Sequence, residues 1–179
     1  ESSLIMKSWK SPQVPALAPS HLMPSFYDSR TETVREFVPL VPGRAQLYVC
    51  GITPYDSTHM GHAMTYHVAD LMRRIVADSG IDTRFAQNVT DVDDPLFERA
   101  NRDGVDWRWL ADDQVQLFRS DMETLRVLAP THFESVSEAM DRIIDAVNVL
   151  RERGVAYPVT NDDGSRDWYH DLSAAPGFG

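Results

Sequence analysis

The chain has 179 residues, 42% of them apolar, with 17 basic and 27 acidic side chains, a formal net charge of −10 and one cysteine. That length and composition suit an ordinary buried core of one domain or slightly more. The single cysteine excludes an intramolecular disulfide, no run reaches the ~18 uncharged apolar residues of a membrane helix, and the acidic balance argues against a broad electrostatic footprint for nucleic acid.

No basic stretch leads into an apolar core at the start, so a cytoplasmic protein is expected. Residues 1 to about 25 carry Pro12, Pro15, Pro19 and Pro24 among small and polar residues, which predicts an extended, tethered or disordered leader. Phe26–Tyr27 and Val34–Val38 flank the polar Asp28–Thr33 turn and predict a short hairpin. Ala45–Cys50, with Leu47, Tyr48 and Val49, suits a buried parallel strand. From His62 the period becomes helical: Met64, Val68, Leu71, Met72 and Ile75 share one stripe of the kind that faces a core, and Gly80 is placed to stop the helix.

Thr83–Val89 reads as a second strand, closing a βαβ unit of right-handed sense. Asp94 before Pro95 resembles an N-cap with proline at the first helical position, predicting a helix to about Arg102. Asp106 caps the next, whose stripe of Leu110, Phe118, Met122 and Leu125 ends before Pro130. Ser135 and Glu138 form a capping-box pattern ahead of Met140, Ile143, Ile144, Val147 and Leu150, with Gly154 after the end. Val155–Val159 and Trp168–His170 are strand candidates around a polar loop at Asn161–Arg166.

These elements divide the chain into a leader and hairpin (1–44), the first half of a nucleotide-binding domain (45–105) and a helical extension leading into an insertion (106–179). A parallel sheet normally has more than two strands, yet only Ala45–Cys50 and Thr83–Val89 read as core members. The chain stops at Pro176-Gly177-Phe178-Gly179, directly after a strand candidate. The expectation is the N-terminal part of a larger fold, with its sheet incomplete.

The segment Cys50-Gly51-Ile52-Thr53-Pro54-Tyr55-Asp56-Ser57-Thr58-His59-Met60-Gly61-His62 carries the chemistry. It is a strand end, a glycine-bearing turn and a helix start, where unpaired backbone N–H groups and the helix dipole favour phosphate. His59 and His62 either cap the helix or contact phosphate, and Gly61 permits close backbone approach. Cys50 is either a small buried hydrophobe or a ligand at the C-terminal end of a strand, where open α/β sheets bind their ligands. One cysteine and scattered histidines give no complete Zn²⁺ set by spacing. Asn88 and Thr90 bracket Val89 across the same crevice, as turn residues or as ligand contacts. Asp91, Asp93 and Asp94 serve as caps that fix the loop, or recruit Mg²⁺. Trp107 and Trp109 read as core or interface packing.

His59-Met60-Gly61-His62 resembles the HIGH signature of class I aminoacyl-tRNA synthetases, in the form with a cysteine at the preceding strand end. Thr65-Tyr66-His67-Val68-Ala69-Asp70, Gln87-Asn88-Val89-Thr90-Asp91-Val92-Asp93-Asp94 and Pro130-Thr131-His132-Phe133 also resemble segments of the cysteinyl-tRNA synthetase group. Cysteinyl-tRNA synthetases usually read Gly-Pro-Thr-x-Tyr-Asp and Asp-Val-Asp-Asp-Lys. The variants found here, Gly51-Ile52-Thr53-Pro54-Tyr55-Asp56 and Asp94-Pro95, look like the mycothiol ligase family. Met6-Lys7-Ser8-Trp9, with Pro12, Val14, Pro15 and Leu17, is similar to that family's start, which makes residues 1–5 an extension.

The resemblance implies the N-terminal half of an α/β, Rossmann-like (HUP) catalytic domain with a helical and strand insertion. It implies an ATP-dependent carbon–nitrogen ligase, monomeric when complete, that activates L-cysteine as cysteinyl-adenylate and releases pyrophosphate. The cysteinyl group then passes to the amine of glucosaminyl-inositol, leaving AMP. By the same carry-over His59, His62 and Thr53 are catalytic, and Cys50, Gly51, Ile52, Thr53, Thr65, Asn88, Val89 and Thr90 bind substrate or adenylate. Cys50 would be one of three ligands to Zn²⁺, and ATP would arrive with Mg²⁺. The remaining zinc ligands and the lysine-rich KMSKS-type loop are absent from this sequence. The alternatives are a cysteinyl-tRNA synthetase and a non-catalytic nucleotide-binding module.

Overall fold

A computed structural model describes residues 8–175, so Met6 and Lys7 of the leader motif and the closing Pro176–Gly179 lie outside the described residues. The backbone divides into two units, 1–137 and 138–179. The first opens with the expected hairpin, β1 (Ser25–Asp28) paired antiparallel with β2 (Thr33–Glu36). Asp28 closes its turn by accepting from the Arg30 amide and the Thr31 hydroxyl, at 3.0 and 3.1 Å.

The central layer is a parallel sheet of β3 (Arg44–Val49), β4 (Asp82–Val89) and β5 (His132–Ser135), in the order β3-β4-β5. Val49 lies opposite Gln87, and Val89 opposite Ser135. Among the described residues β3 is paired on one side only, the incomplete sheet expected from sequence. β5 corrects the expectation of two core strands. Its four residues, His-Phe-Glu-Ser, hold one large hydrophobe, and alternation that short leaves little signal.

Three helices follow as α1 (Met60–Asp78), α2 (Asp94–Asp103) and α3 (Trp107–Thr124). The N-cap of α2 is Asp93 rather than Asp94, which moves Pro95 one position into the first turn. Asp106 caps α3 as expected, accepting from the amides of Arg108 and Trp109 at 2.9 and 3.0 Å. One face of α3 fills the core: Phe118 is fully buried, with Met122 and Val115 beside it. A second cluster joins Leu96 and Ala100 of α2 to Leu110 and Ala111 of α3. Trp107 packs edge-on against Phe97 at 5.2 Å, whereas Trp109 is exposed.

The described part of the leader, residues 8–24, has no helix or strand, as its prolines predict, and of the two alternatives it is tethered: Trp9 is 5% exposed, sits edge-on to Phe118 and Phe133 at 5.6 Å each, and donates its indole N–H to the Val127 carbonyl at 2.8 Å. Each aromatic pair adds about 0.5–1.5 kcal/mol beyond burial, enough for one residue to anchor a proline-rich arm. One sequence expectation fails for a physical reason: the apolar stripe of α1 does not face the sheet. Met64, Val68, Leu71 and Ile75 are exposed, while Tyr66, Ala69, Asp70 and Val76 are buried. The inward face is held by polar bonds that hydropathy cannot register: Asp70 accepts from the Leu128 amide at 3.1 Å and from Arg74 at 2.8 Å. Arg73 donates to the Ala129 carbonyl at 2.7 Å.

α4 (Val136–Glu152) begins directly after β5 and has no fully buried residue; of its expected apolar stripe Ile143 and Ile144 are exposed while Met140, Val147 and Leu150 are half-buried. In the second unit β6 (Ala156–Thr160) and β7 (Arg166–His170) form the expected antiparallel hairpin. Tyr157 stacks on Tyr169, and Arg151 lies over the Trp168 ring. No described helix is long and apolar enough to cross a membrane.

Candidate active site

The parallel register brings the C-terminal ends of β3 and β4 together, and the chain leaves β3 through Cys50 and Gly51. Gly51 runs so close to β4 that a Cβ built there would lie 1.4 Å from the Asn88 carbonyl oxygen. Only glycine fits such an approach. The Gly51 amide donates to Asn88 Oδ1 at 2.9 Å, the Tyr48 hydroxyl donates to the same oxygen at 2.9 Å, and Asn88 Nδ2 donates to Thr90 Oγ1 at 3.3 Å. Asn88 therefore locks the crevice floor: its amide oxygen is filled by two donors and its amide nitrogen is turned to Thr90. The Thr90 amide donates to the Ile52 carbonyl at 2.8 Å.

Ile52 and Val89 are 4% and 0% exposed and belong to the core cluster, so only their backbone can line a ligand. Thr53 donates to Asp93 at 3.2 Å, and Thr65, exposed on α1, bonds back to the Gly61 carbonyl at 3.1 Å. Cys50 is an exposed free thiol rather than a core hydrophobe. Of the three aspartates, Asp91 is buried and accepts from the Ser137 amide at 2.9 Å and from the Ser137 hydroxyl, while Asp93 caps α2. Asp93 thus caps a helix as the sequence allowed, whereas Asp91 ties the exit of β4 to the first turn of α4.

At the entry of α1 the two imidazoles cap the helix, the first of the two readings the sequence left open. The Gly61 amide donates to His59 Nδ1 at 3.0 Å, and the His59 amide donates to His62 Nδ1 at 3.2 Å. These bonds satisfy two of the unpaired donors of the helix start. The rings lie 4.1 Å apart at 35°. A Cβ on Gly61 would come within 2.8 Å of the His59 ring, so glycine here lets that ring fold over the helix start. With both Nδ1 atoms accepting, each neutral ring carries its proton on Nε2. The pair thus keeps two N–H donors in reserve beside the positive end of the helix dipole.

Burial, and secondarily the neighbouring His59, holds the His62 pKa below its ordinary value. Between that lowered midpoint and ~6.5 the unfolded chain binds more protons than the folded one. The contribution of His62 to stability is therefore complete above about pH 6.5 and is lost as the pH falls towards the lowered midpoint. An NMR titration of the His62 imidazole is expected to give a midpoint below ~6.5; a midpoint above it would contradict the capped arrangement.

Sequence reasoning missed the residues that hold the loop from outside. Thr58 donates to Asp121 of α3, and Arg99 of α2 donates to the Tyr55 carbonyl at 3.0 Å and pairs with Asp56 at 3.3 Å. No local pattern links these positions, because they lie on helices remote in sequence from the loop. For metal, no group of three His, Cys, Asp or Glu side chains is gathered among the described residues. Cys50 offers one soft donor, and these residues alone do not complete a zinc site.

The family described as tRNA synthetases class I (C) catalytic domain matches residues 36–179. The protein of Brachybacterium faecium named L-cysteine:1D-myo-inositol 2-amino-2-deoxy-alpha-D-glucopyranoside ligase is 59% identical over 175 residues, covering 97% of this chain and 42% of the relative. Those of the same name from Clavibacter michiganensis subsp. michiganensis and Frankia casuarinae are 49% and 51% identical, covering 95% and 97% of this chain and 41% and 36% of the relatives. The likeness to mycothiol ligases drawn from the loop variants is thus found along nearly the whole chain, which spans about two fifths of the length of these relatives. Among solved structures, the ternary complex of Agrobacterium radiobacter K84 agnB2 LeuRS with tRNA and LeuAMS superposes with a TM-score of 0.61 at 14% identity, covering 76% of this chain and 22% of that one. That likeness concerns the fold. With the family matched from Glu36 onward and its sheet, crevice and capped helix in place, the chain belongs to the class I (C) tRNA synthetase catalytic-domain family.

Proposed function

We propose that the protein to which this chain belongs is a cytoplasmic ATP-dependent ligase, monomeric when complete. It activates L-cysteine as cysteinyl-adenylate and passes the cysteinyl group to the amine of glucosaminyl-inositol. The observation that carries the reading is the His59–His62 pair, each ring capping α1 through Nδ1 and so keeping an Nε2 donor for a polyanion. In the first step the cysteine carboxylate attacks the α-phosphorus of ATP, forming the acyl–phosphate bond and breaking the bond to pyrophosphate. His59 and His62 donate to phosphate oxygens as negative charge builds on the leaving group, where one preorganised donor is worth about 2.7–4 kcal/mol.

Gly51 lets the adenylate lie close to the sheet, and the backbone of Ile52 and Val89 with Thr53, Thr65, Asn88 and Thr90 lines it. Mg²⁺ accompanies the ATP phosphates as part of the substrate. In the second step the amine attacks the acyl carbon and AMP departs with its electron pair. Cys50 is proposed as one ligand of a Zn²⁺ completed by donors outside the described residues. When bound, such an ion supplies a soft site that selects a thiolate over the harder serine hydroxyl.

The acceptor is the point at which this reading parts from a tRNA-charging enzyme. Incubating the full-length protein with cysteine and ATP plus either acceptor is expected to yield cysteinyl-glucosaminyl-inositol and no charged tRNA. Transfer to tRNA alone would overturn the choice of acceptor.

A further inference from the structure

The loop from Gly51 to Thr58 is held in two different ways. Its first half is stitched to the sheet and the start of α2: Gly51 to Asn88, Ile52 to Thr90 and Thr53 to Asp93. Its second half, immediately before His59, reaches no strand among the described residues. It is held by two side chains from separate helices. Arg99 binds the Tyr55 carbonyl at 3.0 Å and the Asp56 carboxylate at 3.3 Å, and is itself braced by Asp103 one turn along α2. Asp121 accepts from the Thr58 hydroxyl. Asp56 in turn accepts from the Ser57 amide at 2.8 Å, so the pull of Arg99 is passed to the backbone adjoining Thr58.

These anchors meet the chain one to four residues before His59. They therefore set where the N-cap of α1 stands relative to the core, and with it the direction of both imidazoles. α3 is a rigid platform for this purpose, because Phe118 and Met122, flanking Asp121 on the same helix, are fully buried. Half-buried Asp121 and Arg99 also work in a setting less screened than open solvent.

We infer that Asp121, through Thr58, and Arg99, through Tyr55 and Asp56, are positioning residues that hold the histidine pair in register with the crevice. They touch neither nucleotide nor amino acid. The inference rests on the proposed adenylation, and its test separates the two. In the full-length protein, Asp121→Ala is expected to lower kcat for cysteine-dependent pyrophosphate exchange by about 10- to 100-fold, with KM for ATP changed far less. Asp121→Asn keeps an acceptor for the Thr58 hydroxyl and is expected to recover most of that loss. Thr58→Val should reproduce the Asp121→Ala defect, and the double variant should be no worse than either single one.

Hydrogen exchange gives a readout that needs no activity. Protection of the His59 and Gly61 amides is expected to fall by about tenfold in Asp121→Ala and Thr58→Val while the interior of α1 keeps its protection. Uniform loss of protection throughout the chain, or a kcat equal to wild type in both variants, would overturn the positioning role. Absence of exchange in the wild type, with the amide pattern as expected, would instead reject adenylation and leave the positioning role standing.

Discussion

Gly51→Ala is expected to remove the native loop altogether. The added methyl would lie 1.4 Å from the Asn88 carbonyl oxygen and 2.5 Å from its carbon. Both are backbone atoms of β4, and Asn88 is in register with Glu134 of β5, so the obstacle cannot rotate aside as a side chain would. Relief requires the loop to lift, which costs the bond from the Gly51 amide to Asn88 and pulls Ile52 from the core. The expected cost exceeds about 3 kcal/mol, beyond ordinary overpacking. Denaturant unfolding of wild type and variant measures it, and a difference under about 1 kcal/mol would show that the close approach does not govern the site.

The second large effect concerns the imidazoles. Asparagine is the informative replacement, because its shorter amide removes the outward Nε2 donor at either position and at His59, the N-cap, it remains a good capping residue. His59→Asn and His62→Asn are each expected to slow adenylate formation by about 10²–10³-fold. Stability should change by less than ~1 kcal/mol, the usual worth of a cap. Single-turnover rates beside ATP dissociation constants separate the two roles. Weaker ATP binding with an unchanged rate would make the pair a ground-state anchor only.

Much of this arrangement can be read in the sequence where it depends on neighbouring residues. The β3–loop–α1 segment announces itself through its glycine turn and histidine spacing, and Asp106 marks the start of α3, because caps and turns are local chemistry. What escapes is set by contacts across the chain. Trp9 is drawn into the core by Phe118 and Phe133, which no composition of the leader discloses. The inward face of α1 is selected by Asp70 and Arg73 bonding the 126–129 segment, against the hydropathy of the opposite stripe. At the site, Gly51, His59 and His62 stand out, but Asn88 reads equally as a turn residue until Tyr48 and Gly51 are seen to fill its oxygen. Arg99 and Asp121 carry no signal at all.

Adenylation by the histidine-capped helix is tested most directly by isotopic exchange between pyrophosphate and ATP in the full-length protein, without any acceptor. The expected result is exchange that requires L-cysteine, is not supported by serine, and is lost when His59 and His62 are both replaced by asparagine. Exchange that persists in the double variant, or that proceeds without cysteine, would contradict it.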